Sequence, residues 1–158
     1  MQQPYPHTYT AEASGAFSGT VSVHSPGLAS LTSAAARQFG GPGDQWSPET
    51  LLMAALADCF IFTFRAVSAA ALFGWQRLEC RAEGRLEKLN RVVQFTHLTL
   101  QASLTLAPGA DASRAKRLLR QAERACLIAN SLKAERTLEI RIVQASAEPP
   151  GPSADAPE

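Results

Sequence analysis

The chain has 158 residues, 18% of them charged and 46% hydrophobic, a size and balance that suit one folded domain with a single core. Fifteen Lys and Arg against fourteen Asp and Glu leave a formal net charge of +1, so composition gives no reason to expect nucleic acid or an anionic membrane surface as a partner. The three cysteines, Cys59, Cys80 and Cys126, are too few and too widely spaced for a disulfide-stapled secreted scaffold or a four-ligand zinc site, which leaves reactive or simply buried thiols.

The first ten residues lack the basic start and apolar run of a secretory signal, and no uninterrupted stretch of about 18 apolar residues occurs anywhere. The expected location is cytoplasmic, with no membrane partner. Residues 17–23, Phe-Ser-Gly-Thr-Val-Ser-Val, alternate apolar and small polar side chains and predict a half-buried strand. Pro26 and Gly27 predict a turn, with residues 28–31 returning as the second strand of a hairpin. Residues 39–44, with three glycines and a proline, can form neither helix nor central strand.

Ser47-Pro48-Glu49 is a helix start: Ser caps free amides, Pro fits the first helical position, and Glu favours the positive end of the dipole. The helix is expected to run to about Phe73, with Gly74 as its stop. Between Leu51 and Phe73 only Asp58, Thr63, Arg65 and Ser68 interrupt apolar residues, so it is expected to be central and buried on nearly all sides.

In residues 76–87, Leu78, Cys80, Ala82, Gly84 and Leu86 alternate with Arg and Glu, the pattern of a strand with one wet face. After a turn at residues 88–91, Leu98, Leu100, Ala102, Leu104 and Leu106 share one face of a second strand, so the two predict an antiparallel hairpin. Asp111 is a candidate cap for a helix in which Ala115, Leu118, Leu119, Ala122 and Cys126 recur at helical spacing. Its other face is basic and polar, with Arg114, Lys116, Arg117, Arg120 and Glu123. Residues 137–143 predict a last strand, and the Pro-rich polar tail predicts disorder. The element order makes an α+β domain. The divisions are an N-terminal extension over 1–14, the domain over 15–143 and a disordered tail over 144–158.

A single free cysteine is more often a small buried hydrophobe than a nucleophile. Cys80, at an inward strand position, is expected to be inert. Cys59 lies too deep in its helix for the N-terminal dipole to activate it, so neighbouring charge would have to do so. Cys126 sits at the far end of its helix, where the negative end of the dipole favours the protonated thiol.

The segment Gly40-Gly-Pro-Gly-Asp-Gln-Trp-Ser-Pro-Glu-Thr-Leu-Leu-Met-Ala-Ala-Leu-Ala-Asp-Cys-Phe60 resembles the glycine pair, Ser/Asn-Pro-Glu step, small-residue helix and Cys-Phe of the OsmC/organic hydroperoxide resistance (Ohr) family. Ala122-Glu-Arg-Ala-Cys-Leu-Ile-Ala-Asn-Ser-Leu132 resembles the segment that carries that family's second cysteine. With the element order, the resemblance covers about residues 15–143. It implies an OsmC-like fold, antiparallel sheets around a long buried central helix, in an intertwined homodimer. It also implies a two-cysteine thiol peroxidase in which Cys59 attacks an organic hydroperoxide, or hydrogen peroxide, becomes a sulfenic acid and is captured by Cys126, chemistry that agrees with general thiol behaviour. Glu49 matches the family's carboxylate, which pairs with an arginine that steadies the thiolate. The implied reductant is an external thiol, a dihydrolipoyl protein in the organic-hydroperoxide branch, with no bound cofactor or metal.

Ten helical residues separate Glu49 from Cys59, a rise of ~15 Å with a change of face, so the two cannot meet along one straight helix. The family's hairpin arginine has no counterpart, because residues 15–19 read Gly-Ala-Phe-Ser-Gly. Arg37 is the nearest candidate to replace it, and Arg65 is on another face of the helix from Cys59. The rival reading is a small-molecule-binding or redox-sensing module of the same fold without efficient peroxidase activity. A thiol hydrolase is weaker, since none of the three histidines shows a recognisable pairing with Cys59.

Overall fold

Short alternating segments near the N-terminus form an antiparallel sheet of β1 (Glu12–Gly15), β2 (Val21–His24) and β3 (Leu31–Ser33), in that order. The computed structural model describes residues 4–145 and divides into two units, one through Leu52 and the other from Met53. β1 starts inside the segment read as an extension. The strand expected over 17–23 begins only at Val21: Phe17 is fully exposed in the β1–β2 turn, where Gly19 takes a φ of 96°. A left-handed glycine in a Ser-Gly-Thr run outranks the alternation around it. The next turn forms as expected, with Leu28 N–H donating to the Ser25 carbonyl at 3.1 Å and Gly27 at φ 78°, but its return strand starts three residues late, at Leu31.

The glycine loop opens with a 3-10 turn, Arg37–Phe39, ended by Gly40 at φ 81°. A Cβ on Gly41 would lie 1.6 Å from the Ala35 carbonyl oxygen, so no side chain fits there. Ala34 N–H then donates to the Trp46 carbonyl at 2.8 Å, tying the loop's end to β3.

Helix α1 (Pro48–Ala70) starts where its cap demands. Thr50 N–H donates to Ser47 Oγ at 3.3 Å while Ser47 N–H donates to Thr50 Oγ1 at 2.8 Å, a reciprocal capping box with Thr in the usual Glu position. The helix stops before the expected Gly74. Leu72 takes the left-handed conformation at φ 50°, with Leu72 N–H donating to Ala69 and Phe73 N–H to Ser68 at 3.0 and 2.9 Å, the two bonds of a Schellman stop. Leu72 is 92% exposed and makes no use of its side chain. Leu72→Gly is therefore expected to raise the urea midpoint by an amount worth about 1 kcal/mol, and a fall would contradict this account of the helix end.

Only Leu56, Phe60, Phe64 and Ser68 of α1 are fully buried, one stripe at four-residue spacing. The helix was expected to be covered on nearly all sides. Its mean hydropathy reaches 1.7 over an 18-residue window of which 17% is buried, enough apolar length and composition to cross a membrane. One chain supplies cover for a single face.

The second unit holds the three-stranded sheet β4 (Arg77–Leu89), β5 (Val92–Leu106) and β6 (Glu135–Gln144). β4 and β5 form the expected hairpin through Asn90 and Arg91, both at positive φ, as a two-residue primed turn requires. A bulge between Arg85 and Leu86 shifts the register. Thr96 of β5 is the extra residue, and Leu86 stays opposite Phe95 on the inward face that alternation gives it, 37% exposed near the end of the hairpin.

β6 runs parallel to β5, not antiparallel. The chain leaves the end of β5, returns along α2 (Ala112–Ala125) and a short α3 (Leu127–Asn130), and so re-enters the sheet in the direction of β5. Asp111 caps α2 by accepting Arg114 N–H at 2.8 Å. Leu98, Leu100, Ala102, Leu104 and Leu106 of β5 pack with Ala115, Leu118, Leu119 and Ala122 of α2 and the buried stripe of α1 into one core. The tail beyond Ala145 lies outside the described residues.

Candidate functional site

Cys59 lies three turns into α1, next to the buried Phe60, and packs half-buried against the core. Thr63, one helical turn on, donates its hydroxyl to the Cys59 carbonyl at 2.7 Å and holds Oγ1 4.0 Å from Cys59 Sγ. Sequence reading passed over Thr63 as a polar interruption. Its i+4 spacing from the cysteine was the signal that could have found it.

Cys126, 67 residues later, is fully buried and does not simply end a helix as expected. It caps the C-terminus of α2 and the N-terminus of α3 at once, its extended φ and ψ of −66° and 110° breaking the helical path. Burial pushes its thiol up to about 11. The amides of Ala129 and Ile128 pull the other way, and the Cys59 sulfur raises it further both as hydrogen-bond partner and as charge. The sulfur makes no full capping bond to α3, so the amides only soften the effect of burial. Both cysteines are free thiols. Folding thus brings together two sulfurs remote in sequence, and Cys126 keeps its proton.

Side chains that the sequence did not single out pin this corner. Asn130 Nδ2 donates to the Arg124 carbonyl at 3.0 Å, Arg136 donates to Asn130 Oδ1 at 3.0 Å, and Arg136 Nε sits 3.4 Å from Glu123 Oε1. The guanidinium ties the end of α2 to the end of α3. Asn130→Ala removes both bonds and is expected to cost about 1–2 kcal/mol in denaturant unfolding; no loss would mean that the clasp is idle.

Cys80, on β4 opposite Ala102, also packs against this core. Desolvation first, and then the nearby Cys126, push its thiol up to about 12. Both thiols, ordinarily near 9, are thus held neutral by the fold. Stability from this source is full below about pH 9, where both states carry the proton. It falls as pH rises towards 11 and 12, because only the unfolded chain has released its protons. Reduced protein should therefore lose stability to denaturant above pH 9 more steeply than Cys80→Ala. Parallel curves would contradict that environment for Cys80.

Glu49 stands in the first turn of α1, within the N-terminal unit. Its Oε2 is buried and is the one such side-chain atom among the described residues without a hydrogen-bond partner. A carboxylate oxygen in that condition calls for a cation or donor. The Arg37 guanidinium folds over Gly43 in the glycine loop, where an added Cβ would sit 2.6 Å from its Nε. Arg65 lies 5.1 Å above the exposed Phe62 ring. Among the described residues no group of three or more His, Cys, Asp or Glu could hold a metal ion.

The profile of the OsmC-like protein family matches residues 41–141. Peroxiredoxin OsmC of Escherichia coli is 29% identical over 96 residues, 61% of this chain and 66% of that protein. Among solved structures, an OsmC-like protein of unknown function from Vibrio cholerae superposes with a TM-score of 0.78 at 18% identity, covering 85% of this chain and 99% of that one. An organic hydroperoxide resistance protein OsmC from Legionella pneumophila gives 0.70 at 24% identity, covering 88% and 98%.

Proposed function

Because the chain belongs to the OsmC-like protein family, we propose that it is a two-cysteine thiol peroxidase acting on organic hydroperoxides. The observation that carries the reading is that Cys59 and Cys126 pack into one core, the second of them buried, its thiol pushed up by burial and by the Cys59 sulfur. The Cys59 thiolate attacks the terminal oxygen of the hydroperoxide. An S–O bond forms, the O–O bond breaks, and the alkoxide leaves and takes a proton as the alcohol. The Cys126 sulfur then attacks the sulfenic sulfur, its proton departs with the hydroxyl as water, and a disulfide remains. An external dithiol restores both thiols.

Roles follow from the unequal surroundings. Cys126 is buried and protonated at neutral pH, so it is a poor first nucleophile and a well-placed second one. Cys59 packs against an apolar core that includes Phe60 and Phe64, which favours an alkyl or fatty-acid hydroperoxide over a hydrated small one. A homodimer belongs to this reading: it would cover the apolar sides of α1, where Asp58 and Arg65 make lipid a poor alternative. It would also allow the unpaired Glu49 oxygen to meet an arginine.

Turnover of cumene hydroperoxide and of hydrogen peroxide with dithiothreitol as reductant tests the substrate class. The organic peroxide should be favoured at least tenfold in kcat/KM. The absence of any basic residue at residues 15–19 favours the rival reading of a binding or sensing module, and absence of turnover with both peroxides would select it.

A further inference from the structure

Charge is not spread evenly over this nearly neutral chain. Glu79, Glu83 and Glu87 each pair with the arginine two residues before them, Glu123 pairs with Arg136, and Glu135 faces His97. Helix α2 concentrates the excess, with five basic residues against one carboxylate in a chain of net charge +1. Lys116, Arg117, Arg120 and Arg124 are all exposed and make no ion pair among the described residues. Arg114 is fixed at the head of the row by its bond to the Ala71 carbonyl and its place over the Phe73 ring. Arg114, Arg117, Arg120 and Arg124, at steps of three and four residues, line one groove of about 430 Å³ with Leu118 and Gln121.

Past Arg114, the row of unpaired cations from Lys116 to Arg124, about 12 Å long, repels itself. It gains when a negatively charged surface covers it. The position of the row identifies that surface. It ends at Arg124, and two residues further lies the buried Cys126, between the exposed Ala125 and Leu127 in the chain. A partner aligned on α2 has its leading edge over the chain segment that carries one sulfur of the disulfide.

Resting on the thiol-peroxidase reading, we infer that the outer face of α2 docks an acidic thiol protein, the electron donor that reduces the Cys59–Cys126 disulfide. The exchange moves two electrons and two protons. A donor thiolate attacks one sulfur and frees the other, the donor's second thiol closes on the first, and the donor leaves as a disulfide. A transient donor must arrive fast and leave, and long-range charge attraction supports that more than a large apolar contact does.

The test starts from protein oxidised with diamide, so that it does not depend on peroxide being the substrate. The probes are two synthetic peptides with a Cys-Gly-Cys core, one flanked by four glutamates and one by four lysines. Each rate of disulfide reduction is divided by that peptide's rate with a neutral small-molecule disulfide. At about 20 mM salt the acidic peptide should be favoured by at least tenfold, and the preference should collapse near 0.5 M salt. It should also collapse in the triple variant Arg117→Gln, Arg120→Gln, Arg124→Gln, whose circular dichroism and denaturation midpoint report its fold. Equal rates in the wild type at low salt, or a preference that survives in the folded variant, would overturn the inference. So would retention of a single-stranded oligonucleotide with no rate advantage for the acidic peptide, since that assigns the face to polyphosphate. Loss of peroxide turnover with the acidic preference intact would instead remove the peroxidase reading and leave the docking face standing.

Discussion

Cys59→Ser should lower kcat/KM for an organic hydroperoxide by about a thousandfold or more. A serine hydroxyl stays protonated at neutral pH and is a weak nucleophile toward peroxide oxygen, so any residual rate has to come from another thiol. Neither candidate can supply it. The Cys126 thiol is pushed up to about 11 and the Cys80 thiol to about 12, which leaves roughly one molecule in a few thousand ionised at Cys126 near pH 7.5 and fewer at Cys80. Ser is close to Cys in size and Cys59 is only half-buried, so the variant should fold. Turnover within tenfold of the wild type would mean that Cys59 is not the attacking thiol.

Cys126→Ser should separate the two halves of the reaction. The first equivalent of hydroperoxide should be consumed at close to the wild-type rate, while steady-state turnover falls about a hundredfold. With its partner gone, the Cys59 sulfenic acid persists, can be trapped by dimedone, and advances to sulfinic acid with excess peroxide. The substitution is well suited to its site: Cys126 is the N-cap of α3, a position that favours Ser, and the Ala129 and Ile128 amides that act on the sulfur can donate to a hydroxyl instead. A variant that cycles as fast as the wild type, with no trapped sulfenic acid, would remove Cys126 from the resolving role.

Element type was readable from the residues wherever local and long-range preferences agree. Ser47 and Pro48 start α1, Asp111 caps α2, and Leu98 through Leu106 mark the inner face of β5 because capping and alternation are local chemistry. Boundaries failed where a tertiary or hydrogen-bonding detail decides. Leu72 ends α1 in a conformation expected of glycine because two backbone bonds hold it there. Phe17 lies in a turn, though it fits its alternation pattern. The parallel direction of β6 follows from the path of the crossover, which no single segment encodes.

The candidate site divides in the same way. Cys59 and Cys126 stand out through the segments around them, but their approach depends on α2 breaking at Cys126 and α3 beginning there, a corner held by Asn130, Arg136 and Glu123. Reading α2 straight through Cys126 credits its protonated state to the helix dipole, whereas burial is the larger cause. Glu49 is a readable first-turn carboxylate, yet its unpartnered oxygen is a property of packing alone.

The central claim is that peroxide joins two sulfurs 67 residues apart. Fully reduced protein treated with one equivalent of cumene hydroperoxide, quenched within seconds by an alkylating reagent and mapped by peptide mass spectrometry, tests it directly. The expected product is a single disulfide between Cys59 and Cys126, with Cys80 alkylated. Three alkylated thiols beside unconsumed peroxide would contradict the account.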